Sequence, residues 1–289
     1  KKQLRAENRA RFAKEDKEKI KSFIKEKKIK MGLVKPKKFL GQHFLRDLGI
    51  ANDIADTVDA CPDLPVLEVG PGMGVLTQFL MKKDREVKVV ELDFESVAYL
   101  KENFSALEGH IIEDDFLKLK LENIFEGKPF VLTGNYPYNI SSQIFFKMLD
   151  YKDLIPCCTG MIQKEVAERI AAGPGSKTYG ILSVLIQAWY KVEYLFTVHE
   201  HVFNPPPKVK SAVVRLVRNN VDKLDCDEQL FIKVVKASFG QRRKMIRNSL
   251  RSVFGDFGGA EHRFFTQRAE QLSVADFVEL TNWVKENRR

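Results

Sequence analysis

The sequence predicts an α/β protein with an open, mostly parallel sheet, followed by a small all-helical region. Three observations predict it. Short apolar runs, Val66–Val69, Val87–Val90 and Phe130–Leu132, read as strands buried within a sheet. Helical stretches separate them, which is the alternation that builds parallel sheets. Beyond about residue 220 the apolar residues recur only at helical spacing.

Taken in order, residues 1–30 form a charged stretch with sparse apolar positions, read as a basic extension that is either helical or disordered. The folded part is expected to begin near residue 31. These 30 residues hold 13 Lys/Arg against 5 Asp/Glu, a surplus of eight out of a net charge of +9 for all 289 residues. A basic arm suits nucleic-acid phosphates, and equally suits a solvated tail. Residues 35–46 mix Lys37 and Lys38 with Phe39 and Phe44, a combination that can meet a phosphate backbone and a stacked ring. A helix is expected over 47–60.

Val66–Val69 leads into Gly70-Pro71-Gly72-Met73-Gly74 and a helix, so the backbone there can approach a ligand closely. The second strand ends at Glu91, where a carboxylate can accept both hydroxyls of a ribose. A third strand, 110–113, ends at Asp114-Asp115-Phe116, a carboxylate beside an aromatic ring. The fourth ends at Thr133-Gly134-Asn135-Tyr136-Pro137-Tyr138-Asn139. Asn135 offers an amide oxygen, Tyr138 a flat ring, and Pro137 a fixed backbone without a competing N–H. Such a loop can grip a planar amine. Each signal is weak alone, and the four strand ends together are much stronger.

Further strands are expected at 156–163, 190–199 and 211–217, and helices at 164–172 and 180–189. The stiff loop Phe203-Asn204-Pro205-Pro206-Pro207 presents Phe203, either to a ligand or to the core. In the helical region, Arg242, Arg243, Lys244 and Arg247 make a basic cluster suited to phosphates or to solvent. The cysteines Cys61, Cys157, Cys158 and Cys226 lack metal-type spacing and read as reduced core thiols in a cytoplasmic protein. No stretch reaches the roughly 20 apolar residues needed to span a bilayer.

The glycine spacing separates cofactors. A nicotinamide fingerprint would need a glycine at 75 or 77, where Val75 and Thr77 stand. Glu68-x-Gly70-x-Gly72-x-Gly74 instead looks like the S-adenosylmethionine loop of class I methyltransferases.

Over roughly residues 36–289 the chain resembles the ribosomal RNA adenine N6,N6-dimethyltransferases, of the type acting on the small subunit. The resemblance rests on Phe39–Leu45, Glu68–Gly74, Glu91-Leu92-Asp93, Asp115-Phe116-Leu117, Asn135–Ser141 and Phe203–Val213. It implies a Rossmann-like fold with seven strands and a C-terminal helical domain, 220–289, that binds rRNA. It implies S-adenosyl-L-methionine as cofactor, without a metal, held by Gln42, His43, Leu45, Gly70, Gly72, Glu91, Asp115, Phe116 and Asn135. It further implies that Tyr138 and Phe203 sandwich the target adenine while Asn135 engages its amino group. Rim contacts to RNA fall to Lys37, Lys38 and the basic cluster. The expected partner is rRNA of the assembling small subunit, and the expected state a monomer. The chain departs from the family pattern at His43, where Asn is commoner, and at Tyr136, where Leu is commoner; the latter predicts a narrower pocket. Two alternatives share these motifs, a large-subunit rRNA methyltransferase of the antibiotic-resistance type and a ribosome-assembly factor. A DNA adenine methyltransferase would share the Asn135–Tyr138 chemistry, but no target-recognition domain of the usual size is visible.

Overall fold

The computed structural model describes residues 34–241 and 243–288. The reading of residues 1–30, and that of Arg242, therefore lie outside the described residues. In chain order the elements are β1 (Phe44–Leu45), α1 (Leu48–Asp56), β2 (Val66–Val69), α2 (Thr77–Leu80), β3 (Val87–Val90), α3 (Phe94–Asn103), β4 (Ile111–Ile112), β5 (Val131–Thr133), α4 (Ser141–Asp150), β6 (Cys157–Gln163), α5 (Lys164–Ala171), α6 (Ile181–Gln187), β7 (Tyr190–Val198), β8 (Phe203–Asn204), β9 (Ser211–Arg218), α7 (Glu228–Gly240), α8 (Ile246–Phe254) and α9 (Val274–Asn287).

Seven strands form one sheet in the order β4-β3-β2-β5-β6-β9-β7. The first five run parallel, and β9 is antiparallel to both β6 and β7. Every residue of β2 and β5 is buried, because helices cover both faces of a parallel sheet. From β2 the chain proceeds outward through β3 to β4, then returns to β5 on the other side. That reversal opens a crevice at the carboxyl ends of β2 and β5, where ligands of open α/β sheets bind.

The loop after β5 is no free turn. Tyr136 N–H donates to Met161 O at 3.0 Å and Met161 N–H to Gly134 O at 3.0 Å, so the backbone continues along β6 to Asn135. Gly160, at φ +140°, is needed for this approach: a Cβ there would stand 2.3 Å from Gly134 O. The Tyr136 ring points into the core beside it, with its hydroxyl donating to Thr159 O at 2.9 Å. Most of its extra size relative to leucine is thus absorbed by the interior, although the residue still lines the cleft.

A second, two-stranded sheet pairs β1 with β8, placing Phe44 opposite Asn204 and Leu45 opposite Phe203. Sequence periodicity gave no sign of it, since two-residue strands are too short to show a period. It brings the segment before α1 beside the proline-rich loop.

The helices α7, α8 and α9 share a continuous core with the sheet, through contacts such as Trp189 against Phe231 and Tyr179 against Phe239. The helix ends are capped as their sequences dictate. Asp227 accepts from Leu230 N–H at 3.0 Å, and Ser273 and Asp276 close a reciprocal capping box.

Cys61 and Cys157 are not separate thiols but are joined in a disulfide, with Cα atoms 5.8 Å apart; Cys158 and Cys226 are free. The two partners lie 96 residues apart, and only packing of the turn after α1 against the start of β6 brings them together.

Candidate active site

A cleft enclosing about 930 Å³, part of it open to solvent, lies at the carboxyl ends of β2, β3 and β5. One end is acidic. The Glu91 carboxylate accepts from Gly72 N–H at 3.0 Å on one oxygen and from Asp93 N–H at 2.8 Å on the other. Burial raises its pKa, and the two N–H groups oppose that shift. Gly72 sits at φ +55°, and a Cβ there would come within 2.9 Å of the Phe44 ring, so only glycine closes this turn without moving Phe44. Asp115 accepts from Leu117 N–H at 3.0 Å, with Lys118 at 3.5 Å. Phe116 beside it is buried. Glu91, Asp114 and Asp115 line the cleft, and no lysine or arginine does so among the described residues.

Beneath this end lies Glu68, 1 % exposed, with one carboxylate oxygen lacking any hydrogen-bond partner among the described residues. Burial, with Glu91 nearby, pushes its pKa up to about 8, so it carries a proton at neutral pH.

The other end is neutral and built around Asn135. Its amide nitrogen donates to the His43 carbonyl at 3.1 Å, which commits that end of the carboxamide and leaves Oδ1 as the acceptor for a ligand. Tyr138 is pinned by a hydrogen bond between its hydroxyl and the buried Ser211 hydroxyl. Burial raises its pKa, so it is a neutral phenol. The His43 ring lies on Tyr138 with centroids 5.3 Å apart and planes at 29°. Its Nδ1 donates to Pro205 O at 2.8 Å.

A strap over the cleft joins the two ends. Lys37 is ion-paired with the buried Asp93, Gln42 accepts from Lys37 N–H at 2.8 Å, and Asn139 donates to Phe39 O at 3.2 Å. Asp93 also caps α3 by accepting from Glu95 N–H.

Of the residues singled out in the sequence, Gln42, His43, Gly70, Gly72, Glu91, Asp115, Phe116, Asn135 and Tyr138 line this one cleft. Leu45 and Phe203 do not: they face each other across β1 and β8, at 4 % and 3 % exposure, in the core behind the wall. The strand pairing turns Phe203 inward, so the second wall expected of it is not formed in this structure. Lys37 is turned inward by Asp93 as well, whereas Lys38 is exposed and Phe39 is 77 % exposed. Arg243 and Lys244 are exposed, and Arg247 is ion-paired with Glu261 at 2.6 Å. Ser211, Asn139 and Asp93 were missed as site-building residues. Ser211 opens a strand, a position that sequence reads as structural, and Asp93 reads as an ordinary helix cap.

The family model for ribosomal RNA adenine dimethylases matches residues 33–286. This chain belongs to that family. It is 77 % identical over 256 residues to the ribosomal RNA small subunit methyltransferase A of Phocaeicola vulgatus, covering 88 % of this chain and 91 % of the relative. It is 74 % identical over 257 residues to the protein of that name from Bacteroides thetaiotaomicron, covering 89 % of this chain and 96 % of the relative. Among solved structures, a dimethyladenosine transferase from Plasmodium falciparum superposes with a TM-score of 0.70 at 24 % identity, over 85 % of this chain and 98 % of that one, and confirms the fold. The 23S rRNA methyltransferase ErmE superposes at 0.60 with 29 % identity, over 83 % of this chain and 99 % of that one. The chain is thus a methyltransferase of the rRNA adenine dimethylase family, with the mostly parallel seven-stranded sheet and helical C-terminal region that the sequence predicts.

Proposed function

We propose that the protein transfers methyl groups from S-adenosyl-L-methionine to the N6 amino groups of adenosines in small-subunit rRNA, two adjacent ones near the 3′ end, giving N6,N6-dimethyladenosine. The reading places this in the cytoplasm, during small-subunit assembly, with the protein as a monomer.

The residues fit the cofactor. The acidic, lysine-free lining suits a sulfonium and an ammonium and repels the pyrophosphate of a dinucleotide. Glu91, already fixed by two N–H groups, is suited to the ribose hydroxyls, and Asp115 with Phe116 to an adenine. Gly70, Gly72, Gln42 and His43 complete the lining. The cofactor supplies an electrophilic methyl group, so no metal is needed for the reaction proposed.

One observation carries the transfer reading: Asn135 presents a fixed amide oxygen beside a pinned Tyr138 ring. The amino nitrogen of adenine is a poor nucleophile because its lone pair is delocalised into the ring. Asn135 Oδ1 and a backbone carbonyl of the Tyr136-Pro137 pair accept its two hydrogens, which favours a pyramidal nitrogen with a directed lone pair. Tyr138 holds the ring plane. The base must first leave its stack, at a cost of ~2–3 kcal/mol that is smaller in a loop. Orientation then supplies much of the acceleration. After transfer the now cationic nitrogen gives its proton to solvent at the open cleft, and a second round uses the same contacts with one hydrogen fewer.

The small-subunit substrate is supported by the names of the two relatives above. Labelled methyl transfer to unmodified small subunits, large subunits and duplex DNA, with the nucleoside identified by mass, tests the proposal. Dimethyladenosine on small subunits alone is the expected result. Label on large-subunit RNA would move the assignment to the large-subunit type. Cofactor binding without label on any substrate would favour a role in assembly.

A further inference from the structure

Three contacts make His43 the hub of the neutral end of the cleft. Its ring lies on Tyr138, its Nδ1 holds Pro205 O at 2.8 Å, and its carbonyl holds the Asn135 carboxamide at 3.1 Å. The first has a steric consequence. A base inserted between two stacked rings needs them roughly 7 Å apart, two layers of carbon contact at about 3.5 Å each. The centroids of His43 and Tyr138 are 5.3 Å apart. No base enters between them while both rings keep these positions. Phe203, buried behind β1, offers no opposing wall either.

We propose that the His43 imidazole is a placeholder for the target adenine: it covers the face of Tyr138 in the free protein and leaves when the base arrives. This rests on the reading that Tyr138 stacks the target base. The exchange substitutes one stack for another, so the Tyr138 face stays covered throughout. The imidazole surrenders the Pro205 hydrogen bond as it moves, which releases the proline-rich loop at the seam where β1 meets β8. The main-chain carbonyl of His43 need not move with the ring, so the Asn135 carboxamide keeps its orientation. Tyr138 cannot instead swing aside freely, because Ser211 holds its hydroxyl. His43 thereby acts as a positioning residue that sets the energetic cost of base entry.

Two variants separate this role from a merely structural one. His43→Ala removes the competitor and keeps the carbonyl that orients Asn135. His43→Phe keeps a ring over Tyr138 and lacks the hydrogen bond to Pro205. Steady-state methyl transfer to unmodified small subunits is measured at saturating S-adenosylmethionine, whose affinity for each variant is fixed beforehand by calorimetry. The exchange predicts opposite signs: KM for subunits falls about 2- to 10-fold in His43→Ala, the range one aromatic stack contributes, and rises in His43→Phe. An unchanged KM in His43→Ala, or a rise in both variants, would overturn the proposal and leave His43 as a structural tie. If the wild-type protein transfers no methyl group to small subunits, the functional reading fails first and the exchange falls with it.

Discussion

At the acidic end of the cleft, Glu91 is held by the N–H groups of Asp93 and Gly72, two and 19 residues away in sequence. At the neutral end, Tyr138 is held by a side chain 73 residues away, and Asn135 by a carbonyl 92 residues away. The hydrogen bonds that fix Glu91 therefore lie within the loops after β2 and β3, with Asp115 brought in by β4 and Asp93 tied to the strap by Lys37. The neutral end exists only when three remote segments meet: the strap before α1, the loop after β5 and the chain entering β9. A change at Glu91 itself should stay local, because both of its hydrogen bonds are to nearby backbone. A change at the neutral end should spread, because each side chain orients another.

The largest effect is expected of Asn135→Ala, at the neutral end. Loss of the fixed acceptor should lower kcat by about 100- to 1,000-fold, the usual effect of deleting one preorganised polar contact in an active site. Quantifying dimethyladenosine by mass on unmodified small subunits reads it directly, and turnover close to wild type would remove Asn135 from the mechanism.

Next in size is Glu91→Ala, which strips the ribose acceptor and leaves the Gly72 N–H without its partner. Charged hydrogen bonds contribute ~1.5–3 kcal/mol, so cofactor affinity should weaken about 10- to 100-fold. Because both Glu91 hydrogen bonds are made within the adjoining loops, kcat at saturating cofactor should change far less than KM for cofactor. An equal fall in both would show that the two ends are coupled.

Ser211→Ala should produce a smaller, spreading effect. Releasing the Tyr138 hydroxyl costs ~0.5–1.5 kcal/mol of orientation, or about 2- to 10-fold in kcat/KM for RNA, with cofactor affinity unchanged. Kinetics with each substrate varied in turn would reveal it.

A separate effect is read on stability rather than on turnover. Burial keeps Glu68 protonated up to about pH 8 in the folded chain, whereas its ordinary value is 4.5. Between those values the folded state holds a proton that the unfolded state has lost, so this group's contribution to stability falls as pH rises through the window. Glu68→Gln removes the titration. Thermal melts from about pH 5 to about pH 8 should then show a shallower decline in Tm, each kcal/mol being worth about 2–4 °C in a chain of this size. An identical pH slope in both proteins would mean that Glu68 is not protonated in the fold.

How far each end was legible in the sequence follows from the same contrast. Gly72, Glu91 and Asp115 lie at strand ends, where a local pattern of apolar run, turn and carboxylate announces them. The seven strands fell close to their expected positions for the same reason, since burial on both faces leaves continuous apolar runs. What stayed hidden was set by pairing at a distance. The two-residue strands β1 and β8 have no periodicity of their own, yet they turn Leu45 and Phe203 into the core. Lys37 reads as a surface cation until Asp93 folds against it. Ser211 reads as the first residue of a strand until Tyr138 reaches it. Cys61 and Cys157 meet for the same kind of reason, through the packing of α1 and its following turn on β6.

The division of the cleft is tested most directly by calorimetric titration of S-adenosylmethionine into the Asn135→Ala protein. The affinity should lie within about 3-fold of wild type, roughly the loss of one modest hydrogen bond, in a protein that has lost methyl transfer. Loss of cofactor binding together with transfer would contradict that division, and would make Asn135 part of the cofactor's own cradle.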